Sequence, residues 1–252
     1  MLNIVLKKEL LESVRSYRML IWAVVCAFFG ILSPVSAYYM PNVLEYLGSS
    51  QNMVIALSEV TYTDALEQYI KNFTQIGSIV IIFLTMGLVA AEKEDGLLQF
   101  LWVRPISAGV ILLAKGISLV CMVFLGLCLA ALLTSIYTLY LFKAFPVMLF
   151  VQSNVFILLY LLVIGCISLS FSAMLNKPLS AGLCSIGAWL AFSVLGSLGN
   201  AGWYSFTRLG QQVMRYVEGF PVSFKPVFSA ILIIIVCFVC ARFVFKRWES
   251  TS

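Results

Sequence analysis

Residues 110–140 read VILLAKGISLVCMVFLGLCLAALLTSIYTLY, with Lys115 as the only charge. A helix needs roughly 20 apolar residues to cross a bilayer core, so this run is more than long enough and should tilt or project. In lipid every backbone N–H and C=O must find its partner within the protein, which leaves helices or closed barrels. The run lacks the period-two alternation of a barrel strand. Five other stretches qualify as spans: 20–39, 73–91, 147–175, 179–198 and 227–245. The expected fold is an all-α membrane protein with six transmembrane helices, a single domain over residues 1–252.

Composition agrees. Of 252 residues 62% are hydrophobic and 11% charged, whereas a soluble domain averages about 45–50% and 25%. Mean hydropathy is +1.03. The net charge of +5 does not imply nucleic acid, because the Lys and Arg sit in short segments between apolar runs. With the N-terminus inside, the inner segments hold 11 of the 16 basic residues and the outer segments 5. By the positive-inside rule both termini are then cytoplasmic. All seven cysteines fall within spans, Cys237 and Cys240 included, and read as small hydrophobes. Residues 35–37 resemble a small-residue cleavage site, but Glu9 and Glu12 in the preceding segment favour an uncleaved signal anchor.

Residues 1–19 are expected to form an amphipathic interface helix. Leu6, Leu10, Val14 and Tyr17 share one face, and Lys8, Glu12 and Arg15 another. Between the first two spans, Thr63 through Glu67 suit a helix start. After the fifth, Trp203, Tyr204, Phe206 and Phe220 suit a headgroup-level belt. Leu209, Val213 and Tyr216 fit a short interfacial helix in the same segment.

Several chemistries are missing. The chain has no histidine, which excludes a Ser-His protease, a His-ligated zinc site and a histidine proton relay. No G-x-x-x-x-G-K-[ST] phosphate loop occurs; the nearest string, Gly109 to Lys115, lacks the second glycine and the spacing. No residue is a candidate catalytic group, metal ligand or cofactor contact. The middles of the spans carry no ionisable group, and Lys115 can snorkel towards the inner face. Uphill transport would therefore need energy from a partner. Ser168 with Ser172 has small-xxx-small spacing, which favours helix packing over a polar path. Gln152, Asn154, Ser168 and Ser172 are the candidate substrate-path residues.

The most distinctive segment is AEKEDGLLQFLWVRPIS, residues 91–107. Acids Glu92, Glu94 and Asp95 come first, as at a helix N-terminus; Gly96 and an apolar stretch follow; Arg104 and Pro105 form a stop. An ordinary loop would not expose Leu97, Leu98, Phe100, Leu101 and Trp102 together. The headgroup boundary could absorb that face and so could a soluble partner, with the partner favoured.

This segment resembles the E-x-E-x-G-[TL]-L-x-x-L-x-x-x-P-[IV]-S pattern of type-two ATP-binding-cassette (ABC) exporter permeases. Glu92, Glu94, Gly96, Leu97, Leu98, Leu101, Pro105, Ile106 and Ser107 match, followed by Lys115. Lys8 to Glu12, Arg15 and Ser33-Pro34 are similar to that family's entry into its first span. Leu97 stands where threonine is commoner, and Trp102-Val103 precede Arg104.

The resemblance implies a permease subunit in a bacterial cell membrane, paired with a second permease chain, identical or homologous. Two cytoplasmic ABC ATPase subunits would bind ATP and magnesium, and the permease itself would bind no cofactor. It implies that residues 92–105 form a coupling helix against the ATPase, and that the pair exports a cargo. A membrane anchor for a sensing or resistance complex, moving nothing, is the alternative.

Overall fold

The computed structural model describes residues 2–49, 61–96, 108–143, 145–197 and 204–249, and among them every regular element is a helix. In chain order these are α1 (Leu2–Arg15), α2 (Arg18–Ser49), α3 (Tyr62–Asn72), α4 (Ser78–Thr85), α5 (Ala90–Glu94), α6 (Ala108–Phe142), α7 (Val147–Met174), α8 (Pro178–Ser197), α9 (Leu209–Val217) and α10 (Lys225–Glu249). Six runs are long and apolar enough to cross a membrane: Arg18–Pro41, Tyr62–Glu94, Gly109–Phe142, Val147–Met174, Pro178–Ser197 and Lys225–Phe245. The second begins well before residue 73, because α3 runs into α4 through a π-helical turn, Phe73–Gly77.

Burial orders the bundle. In α7 61% of the most apolar stretch is buried, against 11% in α10, so α7 is central and α10 peripheral. Apolar side chains such as Phe228, Val239, Leu183 and Val194 are exposed on the outer faces.

The broadest packing joins α2 to α6. Trp22 is fully buried, and its indole Nε1 donates to the Val123 carbonyl at 3.4 Å. The ring lies over Gly126, where a Cβ would sit 2.2 Å from Nε1. Pro34 lies inside α2 and has no N–H, so the Gly30 carbonyl loses its usual helical donor. Thr134 Oγ1 of α6 donates to that oxygen at 3.0 Å. The proline vacancy is thus filled by the neighbouring helix, and α2 continues to Ser49, beyond the expected end at residue 39.

Three expectations need correction. The helix after the first span starts at Tyr62, not at Thr63: the Asp64 carboxylate accepts from the Thr61 N–H at 2.9 Å, closing the N-terminus one turn back. Phe206 is no headgroup-belt residue; it is fully buried against the rings of Tyr160 and Phe192. Nor is the apolar stripe of α9 free to enter a headgroup layer. Leu209, Val213 and Val217 are buried, α9 packs on α7 and α3, and a Cβ on Gly210 would meet Ile70 at 2.9 Å. Its apolar stripe faces protein. Tyr204 and Phe220 stay exposed as expected, and Trp203 lies outside the described residues.

A charged junction between the first helix and two spans

At the α1 end of the bundle, ionisable groups from three elements meet. Val5, Glu9 and Ser13 are the buried positions of α1, one turn apart, so its protein-facing stripe carries a carboxylate. Of the expected apolar face, Leu6 and Leu10 are half-buried, and Val14 and Tyr17 are exposed. Tyr17, with φ near +60°, turns the chain from α1 into α2.

Lys115, in the second turn of α6, is fully buried. Its Nζ donates to Glu9 Oε2 at 3.1 Å and to Glu92 Oε1 at 2.9 Å. It reaches towards the α1 end as expected but ends on two carboxylates rather than in water. Lys8 spans the same acids, 3.2 Å from Glu9, 3.0 Å from Glu12 and 3.2 Å from Glu92. Burial works against the Lys8 charge, yet Glu92, Glu12 and Glu9 outweigh it and raise its pKa above the usual lysine value. Burial also disfavours the Glu12 charge, but the Lys8 hydrogen bond and the charges of Lys115 and Arg18 prevail and lower its pKa.

Oxygens of Glu9, Glu12 and Glu92 lie within 4.8 Å of one another. Two ammonium groups already lie among them and supply the counter-charge. Glu92 Oε2 is buried and has no hydrogen-bond partner among the described residues.

α5 is tied on its other side to α7. Residues 86–89 form turns instead of continuing α4, which frees the first N–H groups of α5. Ser172 Oγ accepts from Val89 N at 3.0 Å and Ala90 N at 2.9 Å. Lys93 Nζ donates to the Ala173 carbonyl at the end of α7. Gly96 has φ +70°, the left-handed conformation that closes a helix. The acids were expected to open a helix; Glu92 does lie in the first turn of α5, but Glu94 and Asp95 sit exposed at its close, because Gly96 turns the chain. Leu97, Leu98, Leu101, Trp102, Arg104 and Pro105 lie outside the described residues.

Of the other candidate residues, Arg15 is exposed on α1, one turn beyond Glu12. Ser168 is buried, its hydroxyl 3.4 Å from the Ile82 carbonyl, so it and Ser172 both bond to the second span. Asn154 accepts from the Tyr69 hydroxyl at 2.6 Å and donates to the Phe150 carbonyl. Gln152 accepts from Tyr216 at 2.9 Å. Of these four only Asn154 lines the cavity of about 620 Å³ between α6 and α7, otherwise walled by residues such as Phe124, Leu132 and Val151.

Sequence reading missed Glu9 and left Lys115 outside the candidate site. A signal existed for Lys115, since a lysine inside an apolar run demands a partner. For Glu9 the partner is 106 positions away, and only the fold brings the two together.

Comparison with known proteins covers nearly the whole chain. The family model described as ABC-2 family transporter protein matches residues 3–249. The chain is also 24% identical over 255 residues to the uncharacterized transmembrane protein YxlG of Bacillus subtilis (strain 168), covering 97% of each. The match runs from α1, through the junction, to the end of α10. The chain belongs to the ABC-2 transporter family, as a multi-pass membrane permease component of an ABC-type transporter.

Proposed function

We propose that this permease exports its cargo from a bacterial cell, driven by cytoplasmic ATPase subunits that dock on residues 92–105. The observation that carries this reading is the buried charge junction, which fixes α5 to α1 and α6 at the start of that segment. In this reading both termini and the junction face the cytoplasm, in line with the 11-to-5 distribution of basic residues. ATP and magnesium sit on the ATPase. A second permease chain completes the pathway, and the exposed apolar faces of α2, α8 and α10 offer room for it beside lipid.

A push on the docking segment enters α5. The Lys115, Lys8 and Lys93 contacts spread it to α6, α1 and α7, while the turns at 86–89 let α5 move relative to α4. Nucleotide favours one ATPase arrangement, and this rigid contact passes that bias to the spans.

Substitutions in the segment test the reading. Leu98 and Leu101 are three apart, a spacing that would put them on one face of the proposed coupling helix. A charge at either opposes desolvation in an apolar groove. Leu98→Asp and Leu101→Asp should leave membrane levels near normal, abolish transport and weaken ATPase copurification, while Gln99→Asp does little. Full transport with normal ATPase binding in Leu101→Asp would remove the docking role.

A further inference from the structure

At the opposite end of the bundle, a cavity of about 320 Å³ lies where the π-helical turn, α7, α8 and the Phe206–Arg208 turn converge. Ligand pockets start at about this volume, which suits one small ring rather than a chain. Amides and hydroxyls of Gln75, Gln211, Thr74, Ser193 and Ser197 line it, with Trp189 among them.

Three elements hold this cavity in shape. The π-helical turn interrupts the second span, a departure from α geometry that concentrates at functional sites. There the Thr74 carbonyl accepts from the Tyr160 hydroxyl at 3.1 Å, and Trp189 Nε1 donates to the same hydroxyl at 2.9 Å. Tyr160 is buried, so one phenol ties the turn, α7 and α8 together and fixes the indole. On the other side, buried Phe206 anchors the turn that carries Thr207 and Arg208. Gly196 allows this approach, since a Cβ there would overlap Thr207 Oγ1. Arg208 is engaged within the chain, with the Gly196 carbonyl 3.4 Å from its Nε.

The hydrogen-bonding capacity left in the lining defines the ligand. Thr74, Ser193 and Ser197 donate their hydroxyl protons to the Ile70, Trp189 and Val194 carbonyls of their own helices, at 2.7, 2.9 and 2.7 Å. Their oxygens therefore present acceptor lone pairs to the cavity. Gln75 and Gln211 are exposed, form no hydrogen bond among the described residues, and each offers a donor and an acceptor side by side. We infer that this cavity binds one uncharged, hydroxyl-rich ring, a pyranose that is either free or the head of a lipid. Sugar hydroxyls donate to the three side-chain oxygens and pair with the two carboxamides, while the Trp189 indole meets the C–H groups of the ring. A neutral ligand needs no free charge at Arg208, and an ammonium ligand would meet that guanidinium at the rim. Under the permease reading, on which only this clause rests, the sugar is part of the cargo at the outer mouth.

Binding can be measured on the intact chain in a polyoxyethylene detergent, which carries no sugar, and without ATPase, so failure of the transport reading leaves this test standing. The probes are radiolabelled glucosyl dioctanoylglycerol, dioctanoylglycerol itself and methyl glucoside. Wild type should bind the glucolipid saturably and about tenfold or more tightly than the lipid without its ring, the worth of one to two neutral hydrogen bonds. Methyl glucoside should displace the glucolipid: at matching concentration if the natural ligand is a free sugar, only in large excess if it is a lipid head. Gln75→Met and Gln211→Met keep the side-chain length and remove the amide. Each should weaken glucolipid binding about fivefold, one hydrogen bond, and leave the melting temperature unchanged. Equal affinity for the two lipids, no displacement by methyl glucoside, or wild-type affinity in both glutamine variants would overturn the inference. Displacement by choline or inorganic phosphate as effective as by methyl glucoside would show a site for charge instead, which also contradicts it.

Discussion

Lys115 is a buried cation whose two partners come from helices far apart in sequence. Removing one member of a buried ion pair typically costs about 3–5 kcal/mol, because the survivors stay charged and dry. Lys115→Met leaves Glu9 and Glu92 with only the half-exposed Lys8 as a counter-charge, so the detergent-solubilised protein should melt at lower temperature. Adding Glu9→Gln and Glu92→Gln should recover most of that loss, since neutral amides at these sites no longer need a cation. The Lys8–Glu12 pair at the rim answers to pH. Glu12 titrates below its ordinary value of 4.5, so its contribution is present above 4.5 and disappears as pH falls through the lower native value. Lys8 titrates above its ordinary 10.5, so its share is complete below 10.5 and lost as pH rises further. The stability difference between wild type and Glu12→Gln should be flat through neutral pH and vanish in acid. A difference that grew on acidification would contradict this assignment.

Among the helices, α2 and α6 show how an element survives an awkward sequence. Pro34 should interrupt α2, yet the Gly30 carbonyl is satisfied by Thr134 of α6. Thr134→Val keeps the shape and removes that donor, leaving a buried acceptor unpaired at about 1–3 kcal/mol. A lowered melting temperature with unchanged insertion is the expected result; an unaltered one would mean that the oxygen finds another donor. The spans were legible in the sequence because an unbroken apolar run such as 110–140 has no other stable environment. α9 was legible as a helix but not in its placement. Leu209, Val213 and Val217 give the same stripe whether it meets a headgroup layer or α7, and only tertiary packing decides. The acids of 92–95 straddle the end of α5, which Gly96 closes, and the apolar turns that follow them in the sequence lie outside the described residues.

Taken whole, the molecule has two polar ends joined by an apolar bundle: the ion junction around Lys115 at one, the Arg208 cavity at the other. The resemblance carried by residues 91–107 pointed to the first end. Nothing in the sequence singled out the second, since Gln75, Ser193 and Arg208 lie on three separate elements and converge only through Tyr160 and Phe206. Under the proposed function this chain holds the pathway and the coupling joint while the energy comes from another polypeptide. ATP turnover in nanodiscs tests it most directly, comparing the purified chain alone, the chain with its ATPase, and the same complex carrying Leu101→Asp. The chain alone should show no hydrolysis above background, the complex should hydrolyse ATP, and Leu101→Asp should uncouple or release the ATPase. Robust hydrolysis by the isolated chain, surviving removal of contaminants, would contradict it.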